Sequence, residues 1–209
     1  KPELEPFLRI AKFMAQHGQR MKDRISEPVA MVIPHSQMFS PRSFAHEATR
    51  KCVRAMYYHC GVPMQAVSEY TLEEYARQAK LIVVPSPRVL TDKCWDTLLA
   101  EIRRGATVAI SGPIDTDEHW LPVKRSNLFG SPAQTVPIAE AEVITIGARE
   151  YSVRYEGEKM QRIEKALVKG SSSRPVVQPY GLGRVIWSPL PLEVGDSLAA
   201  IAAFYRHAL

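Results

Sequence analysis

Apolar and polar positions follow two rhythms along this chain, and the change between them divides it. From Glu5 to Met21 the period is helical: Leu4, Phe7, Leu8, Ala11, Met14, Ala15 and Gly18 share one stripe, with Lys12, Gln16, Gln19 and Arg20 opposite. Pro6 suits a first helical turn, where a missing amide costs nothing. The run Met21–Arg24 is mostly polar and leads to Pro28. Residues 1–25 therefore read as an amphipathic lead-in helix and linker, and residues 26–209 as the main domain.

Inside that domain, short apolar β-branched runs alternate with helical segments. Val29 to Ile33 is bounded by Pro28 and Pro34, as for a strand buried on both faces. A helix over about 42–60 carries Ala45, Ala48, Cys52, Ala55, Met56 and His59 on one stripe, with Gly61 as its stop. Met64 to Val67 is a short strand. Thr71 followed by Glu74 reads as a capping box opening the next helix. Leu81 to Val84 is a third strand. A helix capped at Thr91 or Asp92 follows, with Trp95, Leu98, Leu99 and Ile102 on one face and Gly105 ending it. Thr107 to Ile110 is a fourth strand. This β-α-β-α-β-α-β series predicts a mostly parallel sheet with helices on both faces.

The rhythm then breaks. Residues 115–137 are polar and proline-bearing; 142–146 and 151–155 read as strands, 159–168 as a charged helical run, and 170–173 as a flexible loop. Two strands, 175–180 and 184–188, flank Gly181-Leu182-Gly183 and predict a hairpin. A final helix from about Asp196 has Leu198, Ile201, Ala202 and Tyr205 inside.

Composition narrows the functional classes. The 209 residues are 45% hydrophobic, with no apolar run long enough for a membrane helix. The net charge of +5 is scattered rather than gathered on a stripe, against a nucleic-acid partner. Cys52, Cys60 and Cys94 lack metal-site spacing and read as small core residues. Lys1 stands where a start methionine would, as in a piece of a longer chain. The compartment is left open, with the cytoplasm favoured.

In an open parallel sheet, ligands bind beyond the carboxyl ends of the strands. His35, Ser36, Ser86, Arg88, Ser111 and Asp115 all follow such ends and are the candidate pocket residues, although turn-forming residues are common there anyway. Ser111 is not in a G-x-S-x-G elbow, so a loop role is expected of it. Asp115–His119 could offer metal ligands but lacks the calcium-loop spacing and reads as a solvated loop. Phosphate-cradling glycine motifs are missing and no glycine lies in 34–41, so neither nucleotide nor flavin is expected, and no cofactor or metal is assigned.

The order of these strings carries a resemblance: the PVAMVIP strand, Tyr57–Pro63 closing a helix, Lys80–Pro85, Gly105–Ile110, and Tyr180–Ile186 near the end. Together they resemble the trimerisation domain that follows the (β/α)8 barrel in family 42 β-galactosidases and similar glycoside hydrolases. The resemblance covers nearly the whole chain and implies a class I glutamine amidotransferase-like, flavodoxin-like α/β sandwich. It also implies a non-catalytic accessory role, with an upstream barrel and neighbouring subunits as partners and a homo-oligomer as one assembly. The glycosidic carboxylates of that family lie on the barrel. Amidotransferase relatives carry a nucleophilic cysteine after the strand that Thr107–Ile110 resembles; here the turn is Ser111-Gly112-Pro113, and Cys94 lies inside the preceding helix. The alternative is a small hydrolase or a sugar-binding module of that superfamily using the strand-end pocket.

Overall fold

The computed structural model describes residues 4–22, 28–38, 40, 44–167 and 174–209. In chain order the elements are α1 (Leu4–Lys22), β1 (Val29–Ile33), α2 (His35–Met38), α3 (Ala45–Arg54), β2 (Gln65–Ser68), α4 (Leu72–Tyr75), β3 (Leu81–Val84), α5 (Asp92–Arg103) and β4 (Thr107–Ser111). They continue with β5 (Gln134–Pro137), β6 (Ala141–Ile146), β7 (Arg149–Arg154), β8 (Glu164–Leu167), β9 (Val176–Tyr180), β10 (Gly183–Ser188) and α6 (Leu198–Ala208).

The central sheet has the order β2-β1-β3-β4-β10-β9, parallel except for the antiparallel edge strand β9. Its alternation explains why the strands read as unbroken apolar runs. Val29, Met31, Leu81, Val83, Ala109 and Ile186 enter one core with α3 and α6; Ala30, Ile82, Val108, Ile110, Val185 and Trp187 enter the other with α4 and α5. The inner strands β1 and β3 need apolar residues at every position because both of their faces are covered. Two small antiparallel pairs, β5 with β8 and β6 with β7, lie outside this sheet. Ile144 of β6 and Val153 of β7 join the core on the α6 side, and Ala166 of β8 joins the other.

The β9–β10 hairpin forms as its glycines predict, and its turn packs on the end of α5. The Leu182 amide donates to the Arg103 carbonyl at 3.2 Å, and the Arg184 amide to the Ala106 carbonyl at 3.3 Å. A Cβ at Gly183 would stand 2.1 Å from the Ala106 oxygen; Gly181 has φ +64° and faces the Arg103 Cα at 2.6 Å. Close backbone approach, as much as turn geometry, requires glycine here.

Several expectations are corrected. Thr71 sits at φ −117°, ψ 11°, away from the extended conformation of an N-cap, and its side chain caps nothing. Thr91 does cap, accepting from the Cys94 amide at 3.1 Å. The described part of the charged run, 159–167, is the end of a 3-10 turn followed by strand β8, because Ala166 enters the core while Glu164 and Lys165 pair with Arg88 and Glu142. Part of 115–137 supplies β5, and the stretch after β1 holds the short helix α2. His59 is exposed rather than packed, since the helix widens into a π-helix over Ala55–Cys60 that displaces the stripe. The loop expected at 170–173 lies outside the described residues. The four large apolar α1 side chains that can be described, Leu4, Leu8, Ile10 and Phe13, are 50–63% exposed, so the helix does not bury them on this domain's own sheet.

Gly183→Ala is expected to cost roughly 3 kcal/mol or more, since backbone must move. Gly61→Ala, with φ +67° but nothing within 4 Å, should cost only about 1–2 kcal/mol. Urea unfolding of both variants checks the contrast.

Candidate functional site

The sheet order reverses between β1 and β3, so the loops after these strands leave toward opposite faces and open a crevice at the carboxyl edge. The loop after β1 brings His35, Ser36 and Gln37; the loop after β3 brings Ser86 and Arg88. Ser111 ends β4, and the segment after β10 brings Glu193.

Ser86 and Ser111 are drawn together, but into a closed network. The Glu193 carboxylate is fully buried. Its Oε2 accepts from Ser86 Oγ at 2.6 Å and from the Ser111 hydroxyl, while Oε1 accepts from the Tyr205 hydroxyl at 2.5 Å. The Ser111 oxygen also accepts from the Ser86 amide at 3.0 Å. Three hydroxyl donors thus satisfy a buried carboxylate, the condition for placing one in a core. A nucleophilic serine needs a base on its hydroxyl and an exposed oxygen. Ser111 is 0% exposed, and no imidazole bonds it among the described residues. Its backbone is also unstrained: the positive φ falls on Gly112 (80°) and, beside it, on Ser86 (41°).

The other candidates divide. His35 Nδ1 shares a hydrogen bond with Ser68 Oγ at 2.7 Å, and its ring stacks on Tyr70. The Ser36 amide donates to Glu69 Oε1 at 2.5 Å. Arg88 pairs with Glu164 at 2.9 Å, donates to the Arg162 carbonyl, and lies 5.5 Å from the Trp120 ring centre. Asp115 is drawn aside: its carboxylate accepts the Ser126 amide at 2.7 Å and the Ser126 hydroxyl. Of the six, Ser86 and Arg88 line one small cavity of about 30 Å³ with Gln37, Pro113 and Pro191, while Ser111 lies below it in the buried network. That is space for about one water-sized group. Among the described residues no cluster of three or more metal-ligating side chains occurs. In the acidic loop, Asp117 Oδ1 accepts the His119 and Leu121 amides at 2.9 and 2.8 Å.

Glu193, Gln37 and Glu69 were not singled out from the sequence. Glu193 had a signal, a carboxylate inside the apolar run Leu190–Val194. Gln37 and Glu69 had none, because only the fold shows that their side chains bond amides of neighbouring loops: Gln37 Oε1 accepts the Arg88 amide, and Glu69 accepts those of Ser36 and Thr91.

Known structures resemble this architecture. A β-galactosidase from Bacillus circulans sp. alkalophilus aligns with TM-score 0.63 and 13% identity, over 96% of this chain and 33% of that one. The exo-β-1,4-mannosidase Op5Man5 from an Opitutaceae bacterium gives 0.63 and 13%, over 95% and 38%. A catalytic mutant of a GH42 β-galactosidase from G. stearothermophilus gives 0.62 and 15%, over 95% and 33%. The fold is one they share. The chain spans about a third of the length of these structures. No family model matches it, and no curated protein matches its sequence.

Burial raises the Cys52 and Cys94 thiols above the ordinary 9.0, and the Tyr155 and Tyr205 phenols above 10.0, with the Glu193 charge adding to the shift at Cys52 and both tyrosines. The folded state therefore holds protons that the unfolded chain releases first. Stability should be full below about pH 9 and fall as pH rises, by up to about 1.4 kcal/mol per pH unit for each group. Urea unfolding from about pH 8 to about pH 11 checks this, and Tyr205→Phe should flatten the slope. Glu193→Ala, which leaves three hydroxyls without their acceptor, should cost roughly 3 kcal/mol or more at neutral pH.

Proposed function

We propose that the chain is a non-catalytic accessory and oligomerisation domain of a carbohydrate-active glycoside hydrolase, packing against an upstream (β/α)8 catalytic domain and neighbouring subunits. The observation that carries this reading is α1, whose Leu8, Ile10 and Phe13 are 57, 63 and 56% exposed. Apolar surface left in water costs roughly 25 cal/mol per Å², so exposed side chains of this size, spread around the helix, imply a covering surface. The solved glycoside hydrolases that share the fold are about three times longer than the shared part, which gives a domain of this kind further chain to pack on. The strand-end corner supports the same reading: the Ser111 hydroxyl bonds a buried carboxylate instead of facing a substrate. That geometry disfavours the hydrolase alternative. A sugar-binding role is compatible with an accessory domain and would rest on other residues.

The chain alone is expected to hydrolyse neither aryl β-galactosides nor glutamine, and a serine-directed fluorophosphonate should leave Ser111 unlabelled. Turnover abolished by one substitution in this chain would overturn the reading. Ile10→Ser with Phe13→Ser should change the chain's own stability by no more than about 0.5 kcal/mol. In the longer polypeptide the same pair should weaken subunit association, measured by analytical ultracentrifugation.

A further inference from the structure

The outward face of α3 carries charge that the fold does not balance. Ala45, Ala48, Cys52 and Ala55 are buried, which leaves His46, Arg50, Val53 and Arg54 exposed. Arg50 and Arg54 make no hydrogen bond or ion pair among the described residues. Glu47, the acid beside them, is engaged at 2.9 Å by Lys51, whose ammonium also donates to the Gly195 carbonyl at 2.6 Å. Like charges four residues apart on a helix repel each other. The helix dipole offers no relief, because the helix runs on through its π-helical turns to Cys60 and neither arginine lies in the last turn.

The rest of the helical surface is not built this way. A concavity of about 780 Å³ over α4 and α5 mixes both signs, with Lys93 paired to Glu73 at 3.4 Å and Arg104 paired to Glu101. The concavity of about 400 Å³ on α3 is lined by His46, Glu47, Arg50, Lys51 and Arg54, and the Glu47 carboxylate is already held by Lys51. Apolar surface continues from the arginines. Val53 is 36% exposed, and the π-helical turns leave Tyr57 and Tyr58 49 and 82% exposed.

Arginine and tyrosine are enriched in protein interfaces, where a guanidinium fork matches a carboxylate and a phenol ring supplies rigid contact area. Arg50 and Arg54 start about 6 Å apart along the helix, at about 1.5 Å per residue. That spacing suits one or two carboxylates and is short for the row of phosphates by which a nucleic acid is held.

We propose that this face of α3 and its π-helical extension docks an acidic protein segment. Glu or Asp carboxylates of that segment meet Arg50 and Arg54, and its apolar side chains cover Val53, Tyr57 and Tyr58. The surface uses other residues than α1 and does not depend on the accessory role proposed above.

The test is fluorescence anisotropy on the whole chain with three labelled probes: a glutamate-rich peptide with interspersed leucines, a glycine–serine peptide of the same length, and oligo(dT). The acidic peptide should bind more tightly than either of the others. Arg50→Glu with Arg54→Glu should weaken it roughly tenfold or more, and Tyr58→Ser roughly threefold. Arg77→Glu with Lys93→Glu, an equal change of charge on the α4–α5 surface, should leave the affinity within about twofold. In the free chain Arg54→Gln should raise the urea midpoint, because it removes a repulsion. Equal loss from the two double reversals means that net charge alone attracts the peptide, and overturns the proposal. So does tighter binding of oligo(dT), no binding of the acidic peptide, binding indifferent to Tyr58→Ser, or a lowered midpoint for Arg54→Gln.

Discussion

A carboxylate with no cation on it among the described residues, Glu193, sits at the centre of this molecule's strand-end corner, and much else follows from satisfying it. Its two oxygens require donors from three directions, and these come from the loop after β3, the end of β4 and the inner face of α6. The bond to Tyr205 ties the last helix to the sheet, and the bonds to Ser86 and Ser111 tie two adjacent strand ends together. A buried charge of this kind gains little net energy over an apolar core, but it penalises any arrangement that leaves it without its partners.

That network also decides where chemistry can and cannot occur. Both serine hydroxyls point at Glu193, so the corner at the end of β4 is filled from within. The crevice at the sheet reversal persists beside it, lined by Gln37 from one loop and by Ser86 and Arg88 from the other.

Much of the fold was legible in the residues. Val29–Ile33, Leu81–Val84 and Val108–Ile110 are apolar at every position because both faces of the sheet are covered, and proline or polar residues bound each run. Thr91 and Gly181 signalled their cap and turn through local chemistry that needs no distant partner. Thr71 misled, because its cap geometry depends on how β2 leads into α4. The run containing Glu164 and Lys165 misled too, since its charges are paired across the fold and not presented on a helix. Of the strand-end candidates, Ser86 and Arg88 line the cavity, whereas the Asp115 carboxylate accepts the Ser126 amide of its own loop.

The sequence by itself determined the alternation of strands and helices, the parallel sheet, and the turns that glycine and capping residues enforce, because these depend on neighbours a few positions apart. Only the tertiary structure decided which polar side chains meet. Ser111 and Glu193 are 82 residues apart, and Arg88 and Glu164 are 76 apart. Whether such groups are satisfied or buried depends on through-space distance, which no local pattern encodes.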